Sequence, residues 1–407
     1  MSKTFITDLH IEKVRHIENF DIPLSKSEMK HLIITGKNGS GKTSLLREIG
    51  ITCNYILQGD YSYLFHKRDG VESYIGARSK TEVDKAVYGL NNPEYALKNY
   101  PCNALLFFSD EIKKIQIKAA SANYLVVFFE ARRTPNLKTP RGAEKIELQG
   151  KFGIDPEAGK EFIQFMVNRY FEQLMAAQDN ETEKVAQIKQ WFDKIQQSFR
   201  VLLDAPDAEI KFDKTNFNFD IIHSGRERYN FNQLSDGYSS VINLVSELIM
   251  RMESQNKSAY DVEGVALIDE IETHLHVDLQ KKILPFLTAF FPNIQFIVTT
   301  HSPFVISSIK NAVICDLEKR IVTEDLSGYS YGTLVESYFG NDNYSDQLKS
   351  ELNEYESLMK AEKLTLDQEE RLQDLEEKLN QLPKYWAPEL DFKLKQIQLE
   401  KADRATA

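Results

Sequence analysis

His31-Leu32-Ile33-Ile34-Thr35-Gly36-Lys37-Asn38-Gly39-Ser40-Gly41-Lys42-Thr43-Ser44 is the stretch on which the reading of this chain turns. Its first five residues form a short, β-branched apolar run, the pattern of a buried strand. Gly36 to Thr43 then satisfies G-x-x-x-x-G-K-[ST] at every position. Ser44 to Ile49 reads as helix. In a strand–turn–helix of this kind the glycines let the backbone curl until its N–H groups converge on phosphate oxygens. The helix start adds positive potential. Lys42 is placed to reach β- and γ-phosphates, and the Thr43 hydroxyl to ligate Mg²⁺. Candidate nucleotide contacts are therefore Gly36, Lys37, Asn38, Gly39, Ser40, Gly41, Lys42, Thr43 and Ser44. The implied cofactors are ATP and Mg²⁺.

A second stretch, Val265-Ala266-Leu267-Ile268-Asp269-Glu270, is an apolar strand ending in two carboxylates. Many strands end in acids, but on a chain that also carries the phosphate loop this matches a Walker B motif. Asp269 is then the candidate Mg²⁺ ligand with Thr43, and Glu270 the base that orients or deprotonates the attacking water. Between the two lies Leu234-Ser235-Asp236-Gly237-Tyr238, before a helix. Alone it reads as an N-cap; between Walker A and Walker B it reads as a second anion site at a helix N-terminus.

Together these residues resemble the ABC-type ATPase heads of the RecF, SMC and OLD proteins. Leu234–Tyr238 resembles the LSGGQ signature, and His301, after strand Ile294–Thr299, resembles the switch histidine. Asp269-Glu270-Ile271-Glu272-Thr273-His274-Leu275-His276 resembles their DExExHLHP stretch, with Val277 in place of the proline. Ile11 to Phe20 resembles the strand that opens such heads. The resemblance covers roughly residues 5–50 and 205–340. It implies an ATP sandwich in which two heads face each other, each nucleotide lying between the P-loop of one and the Ser235 of the other. Glu272 to His276 is then the D-loop at the seam. Arg15 falls where related heads use a basic residue near phosphates or DNA, and Arg132 or Arg133 where a loop approaches the γ-phosphate. No Q-loop glutamine is assigned.

The spacing departs from two of these relatives. About 190 residues separate Ser44 from Gln233, too few for the long coiled coil of an SMC protein. After His301 there is no Asp-x-Asp of the kind that marks a Toprim nuclease, so no intrinsic nuclease is expected. A stand-alone head of this design is similar to the ATPase subunits of two-gene bacterial anti-phage systems such as Septu, retron and PARIS. The resemblance implies a switch ATPase that pairs with itself and controls a separate effector, a nuclease. Its trigger is a nucleic acid or a phage protein. Two alternatives stand: a RecF-like DNA repair ATPase, and a scaffold in which ATP is structural.

Composition agrees with a large folded chain. The 407 residues are 42% hydrophobic and 27% charged, with formal net charge −11, against non-specific coating of nucleic acid. Three scattered cysteines read as reduced thiols. The start lacks an apolar leader, and no apolar run is long enough to span a bilayer, so a cytoplasmic protein without membrane contact is expected.

The expected fold class is α/β: a P-loop head with a mixed sheet (1–50 and 205–340), an insertion (51–204) with a helical hairpin at about 155–200, and a C-terminal helical hairpin (341–407). The hairpin expectation in the tail comes from Leu348, Leu352, Tyr355 and Met359, then Leu372, Leu375, Leu379 and Leu382, at heptad-like spacing. A capping box at Thr365 and Gln368 supports it. From Lys113 to Lys151, nine basic residues face three acidic ones. That excess fits a solvated face or a nucleic-acid contact equally.

Overall fold

The computed structural model describes residues 3–59, 91–92, 103–133, 137–140, 142, 144, 146, 152–254, 262–329, 333–334, 346–361 and 365–380. The chain forms two compact units, Met1–Tyr329 and Ser330–Ala407.

The first unit is built on a six-stranded sheet and two three-stranded ones. Strands β1 (Ile6–Val14), β2 (Ile17–Pro23) and β4 (Ala104–Phe108) form an antiparallel sheet in the order β2-β1-β4. The central sheet comprises β3 (His31–Thr35), β5 (Tyr124–Phe129), β9 (Glu263–Ile268), β10 (Ile294–Thr299), β11 (Ala312–Asp316) and β12 (Ile321–Glu324), ordered β12-β11-β3-β10-β9-β5. Every pairing in it is parallel except that of β12 with β11. Every residue of β3, β10 and β11 is buried. That explains why these segments read as continuous apolar runs rather than alternating ones: helices and a second sheet cover both faces.

Helix α1 (Lys42–Gln58) follows β3 directly and buries Leu45, Leu46, Ile49 and Ile56 in the core between the two sheets. The sheets are also joined by one side chain. The fully buried Gln295 of β10 accepts from Ile6 N at 2.8 Å and donates to Ile6 O at 3.0 Å. Its amide thus acts as a strand partner for β1 and leaves no buried backbone group of Ile6 unpaired.

Helix α2 (Ile112–Ala120) packs in the head, with Ile112 and Ile115 in the core that α1 fills. The helical lobe contains α3 (Phe162–Gln178) and α4 (Thr182–Leu203), the small sheet β6 (Glu209–Asp213), β7 (Asn218–Ile222) and β8 (Tyr229–Asn230), then α5 (Asp236–Glu253). Helices α3 and α4 are the hairpin expected at 155–200. Two buried acids tie α5 to its neighbours. Glu253 accepts from Trp191 Nε1 and Arg169 Nη2, both at 2.9 Å. Its carboxyl is raised by burial, against the pull of Arg169. Glu247 pairs with Arg251 at 2.6 Å, and Arg251 donates on to the carbonyls of Val126, Gly153 and Asp155. Helices α6 (Val277–Phe290) and α7 (Pro303–Ile306) complete the unit.

The boundary expected at residue 50 does not hold. Strands β4 and β5 fall within 51–204, yet they are hydrogen-bonded to β1 and β9. The segment therefore contributes to the head's own sheets before it leaves for the helical lobe. The run Ala104-Leu105-Leu106-Phe107-Phe108 between Asn103 and Ser109 carried a strand signal that was not read as one; β11 and β12 were likewise unassigned. Residues 60–90, within the stretch expected to hold helices and loops, lie outside the described residues. So do Arg141, Lys145, Glu147 and Lys151 of the basic segment. The second unit contains α8 (Asp346–Lys360) and α9 (Leu366–Asn380). Arg371 grips Glu354 at 3.1 and 2.8 Å and Lys378 meets Glu351 at 2.5 Å, which sets the helices antiparallel. The Thr365–Gln368 capping box forms in both directions.

Burial of His31 makes the head sensitive to acid. Its Nδ1 accepts from Phe296 N at 3.0 Å, and burial pushes the imidazole down to about 4, with Lys3 adding to the effect. An unfolded chain takes up this proton below about 6.5, the folded one only near 4. Stability is therefore intact above 6.5 and falls as pH drops through that window. Between pH 6.5 and 5 the expected loss from this group is about 2 kcal/mol. Urea midpoints of wild type and His31→Asn at pH 7 and pH 5 test this: the variant's pH dependence should be shallower by that amount, and equal slopes would exclude His31 as the cause.

Candidate nucleotide site

The parallel strands β3, β9 and β10 bring their C-terminal ends to one edge of the sheet, where open α/β folds bind ligands. At the end of β3 the chain turns through Gly36, Gly39 and Gly41 with φ of 134, 84 and 95°. These values belong to the left-handed side, where a side chain is strained. At Gly36 a Cβ would also lie 2.8 Å from Ser40 Oγ. Lys37, Asn38 and Gly39 are exposed, whereas Ser40 and Lys42 are buried. The Lys42 ammonium donates to Gly36 O at 2.9 Å and Lys37 O at 3.1 Å, so it lies folded over the loop. Burial lowers its pKa, and Glu270, Asp269, Glu272 and Asp316 oppose that shift. The turn after β11 closes over the loop: Glu318 pairs with the Lys37 ammonium at 2.8 Å.

Strand β10 lies between β3 and β9 and supplies the link between the two motifs. Thr43 Oγ1 donates to Asp269 Oδ2 at 2.9 Å. Asp269 Oδ1 accepts from Thr299 Oγ1 at 2.6 Å, and the same hydroxyl accepts from Glu270 N at 2.7 Å. Glu270 itself has φ of 43°, and its Oε2 lies 3.4 Å from Thr273 Oγ1. Past the strand, Glu272 Oε1 accepts from His301 N at 2.5 Å. The Glu272 carboxylate thus holds the backbone at His301. Thr299 was read only as the end of a strand; nothing in the sequence pattern distinguishes a hydroxyl that braces Walker B from any other strand threonine.

The residues present fit a magnesium nucleotide. Thr43 and Asp269 offer converging oxygens, which suit a hard cation. Ser40 Oγ, Glu272 Oε2 and His301 Nε2 are buried polar atoms without a hydrogen-bond partner. A phosphate and its water can satisfy such groups, which otherwise cost about 1–3 kcal/mol each. Among the described residues no cluster of three or more His, Cys, Asp or Glu side chains could hold a metal, so a cation here depends on phosphate and water ligands as well.

Of the basic residues singled out, Arg15 reaches the loop: its Nε donates to Ser44 Oγ at 2.7 Å. Arg132 is exposed. Arg133 does not face the phosphates as expected. It is 6% exposed, and its five N–H groups go to Ser240 Oγ and to the carbonyls of Glu130, Asp269, Glu270 and Ile271. Burial lowers its pKa to about 10, offset by Glu272, Asp269 and Glu270, so it stays charged. Leu234 to Tyr238, the stretch expected as a signature, lie at the start of α5. Leu234 and Tyr238 are partly buried, Ser235 and Asp236 are exposed, and Ser235 is the N-cap without a side-chain capping bond. Gly237 is packed so closely that a Cβ would meet His274 O at 2.9 Å.

Over residues 32–307 the chain matches the family described as "AAA domain, putative AbiEii toxin, Type IV TA system". The chain belongs to this family. The matched span runs from β3, before the glycine-rich loop, to just past His301, so the chain carries an AAA-type ATPase domain. Septu protein PtuA of Bacillus mycoides (strain KBAB4) is 26% identical over 400 residues, covering 93% of this chain and 51% of that protein. The chain thus spans about half the length of that relative. The "Retron Vc95 probable ATPase" of Vibrio cholerae serotype O1 biovar El Tor is 23% identical, covering 86% of this chain and 84% of that one. Among solved structures, the SMC head domain from Thermotoga maritima aligns with a TM-score of 0.36 at 14% identity, over 78% of this chain and 97% of the other. Among the described residues no helix is long and apolar enough to cross a membrane.

The geometry around Lys42 gives a direct test of the site. Lys42→Ala removes a charged donor from the phosphate cradle, an interaction worth about 1.5–3 kcal/mol. Mg-ATP affinity should fall about 10- to 100-fold, measured by equilibrium binding. Unchanged affinity and turnover would remove the P-loop from the site.

Proposed function

We propose that this chain is an ATP-binding and hydrolysing switch. Two heads pair face to face around nucleotide, and the pair controls a separate effector, a nuclease, in bacterial anti-phage defence. The observation that carries this reading is the state of the signature. Ser235 stands exposed at the N-terminus of α5 with its hydroxyl uncommitted to capping. Such a helix start is an anion site open to a γ-phosphate held by a second molecule. Within one head, Lys42 and the loop N–H groups bind the phosphates, while Thr43 and Asp269 would hold Mg²⁺. Glu270 is placed beside Asp269 to take a proton from water. His301, anchored through its own N–H by Glu272, is placed to sense the γ-phosphate. Bound Mg²⁺ supplies charge neutralisation at the phosphates.

The defence role and the separate effector are supported by the Septu and retron relatives. The first unit supplies the switch. The second unit supplies a handle: a helical hairpin with a leucine seam and charged outer faces suits a helical partner interface.

Two outcomes test this. Glu270→Gln keeps the shape of the side chain but cannot accept the proton, so turnover should fall by about 10²–10⁴-fold while ATP binding persists. ATP should then hold the heads as a pair, visible by sizing with and without nucleotide. Wild-type turnover in this variant would move the base elsewhere, with Glu272 next in line.

The isolated chain is expected to leave DNA and RNA uncut, with or without ATP. A toxic activity should co-purify with a second chain, and deletion of residues 344–407 should weaken that association. Metal-dependent cleavage by the isolated chain that survives Lys42→Ala would overturn this division of labour. Full affinity for the partner after the deletion would return the hairpin to a packing role.

A further inference from the structure

After β9 the backbone turns with Glu270 in the left-handed region. The carbonyls of Asp269, Glu270 and Ile271 all meet the Arg133 guanidinium, at 2.7, 2.9 and 3.2 Å. A turn that aims several carbonyls at one point needs a cation with several directed donors. Arg133 fills that need and is itself tied to Glu130 O at 3.1 Å. Its remaining donor, Nε, leaves the turn and reaches Ser240 Oγ at 3.0 Å. Ser240 is fully buried on α5, five residues beyond Ser235. A second contact runs parallel to the first: Gly237 lies against His274 O, close enough that no side chain fits. The first turns of α5 thus rest on the turn after β9 through one guanidinium hydrogen bond and one close backbone contact.

We infer that Arg133 is a positioning residue that couples the Walker B turn to the signature helix, so that the state of a head's own nucleotide is passed to the end of α5 that faces the other one. This rests on the face-to-face pairing proposed above. Any movement of Asp269 or Glu270 on binding phosphate and water displaces their carbonyls. Because one planar group holds those carbonyls and Ser240 together, α5 moves with them. Lysine cannot substitute, since an ammonium offers three donors from a single point and not a five-donor fork. Two composite sites joined this way behave as coupled sites, with a coupling typically worth about 5- to 150-fold in affinity.

ATP turnover against ATP concentration, with equilibrium ATP binding and thermal melting alongside, tests the idea on wild type, Ser240→Ala and Arg133→Lys. Ser240→Ala leaves the four carbonyl bonds of Arg133 in place. It should melt like wild type and bind ATP within about twofold, while the Hill coefficient of turnover falls to about 1 from a higher wild-type value. Arg133→Lys should lower kcat by about 10- to 100-fold with KM changed only a few-fold, the split expected when Glu270 is misplaced and the phosphate cradle is intact. A Ser240→Ala protein with wild-type Hill coefficient and kcat overturns the inference. So does a wild type that pairs on ATP yet hydrolyses it without cooperativity. A wild type that neither pairs nor hydrolyses overturns the switch reading itself, and the coupling with it.

Discussion

The Thr299 hydroxyl, at the end of β10, donates to Asp269 Oδ1 and accepts from Glu270 N. It can do both only because β10 lies between the P-loop strand and the Walker B strand, parallel to each. Strand order therefore decides where the carboxylates sit relative to Thr43. The register β10 keeps with β3, Thr299 against Ile34, and with β9, Val298 against Ile268, places these ends level. Without that register the Thr43–Asp269 contact could not form, and a magnesium nucleotide would have no converging oxygens to bind.

The rest of the head maintains this edge. The central strands are buried and mostly apolar, so a one-residue slip within them exposes little new polarity but breaks the polar contacts at the ends. Buried polar side chains supply the specificity that the apolar residues lack. Gln295 ties β10 to β1 through the main chain of Ile6, and His31 accepts from Phe296 N. Each leaves an unpaired buried group if the strands shift, at a cost of about 1–3 kcal/mol. Arg251 does the same between α5 and the segment after β5.

The charge arrangement follows the same logic. Three carboxylates, Asp269, Glu270 and Glu272, stand close together on one turn, a repulsive arrangement that needs positive charge nearby. Lys42 provides it from the phosphate loop, and Arg133 from its bonds to the carbonyls of the turn. Both ammonium and guanidinium are depressed by burial and held up by these same carboxylates.

Local pattern was enough for the glycine-rich loop after β3, the apolar strand ending in Asp269 and Glu270, the helix that starts after Ser235 and the two helical hairpins. Each depends on residues close in sequence: glycines where φ must be positive, apolar runs where both faces are covered, and leucines three and four apart. Chain-distant pairings were not legible. Strands β4 and β5 read as parts of an insertion because nothing in Ala104–Phe108 or Tyr124–Phe129 says which strand each will join. Arg133 read as a nucleotide contact because its position after a strand matched such a loop. Its actual acceptors are the nearby carbonyl of Glu130, three backbone carbonyls 136 to 138 residues away and a serine on α5. A side chain's type can be read from sequence, but the direction of its donors is set only when the backbone folds around it. The sequence alone determined the phosphate-loop motif and the ATPase class; the tertiary structure decided which side chains meet at the edge of the sheet and which brace them, because hydrogen-bond direction depends on strand order and turn geometry, not on residue type.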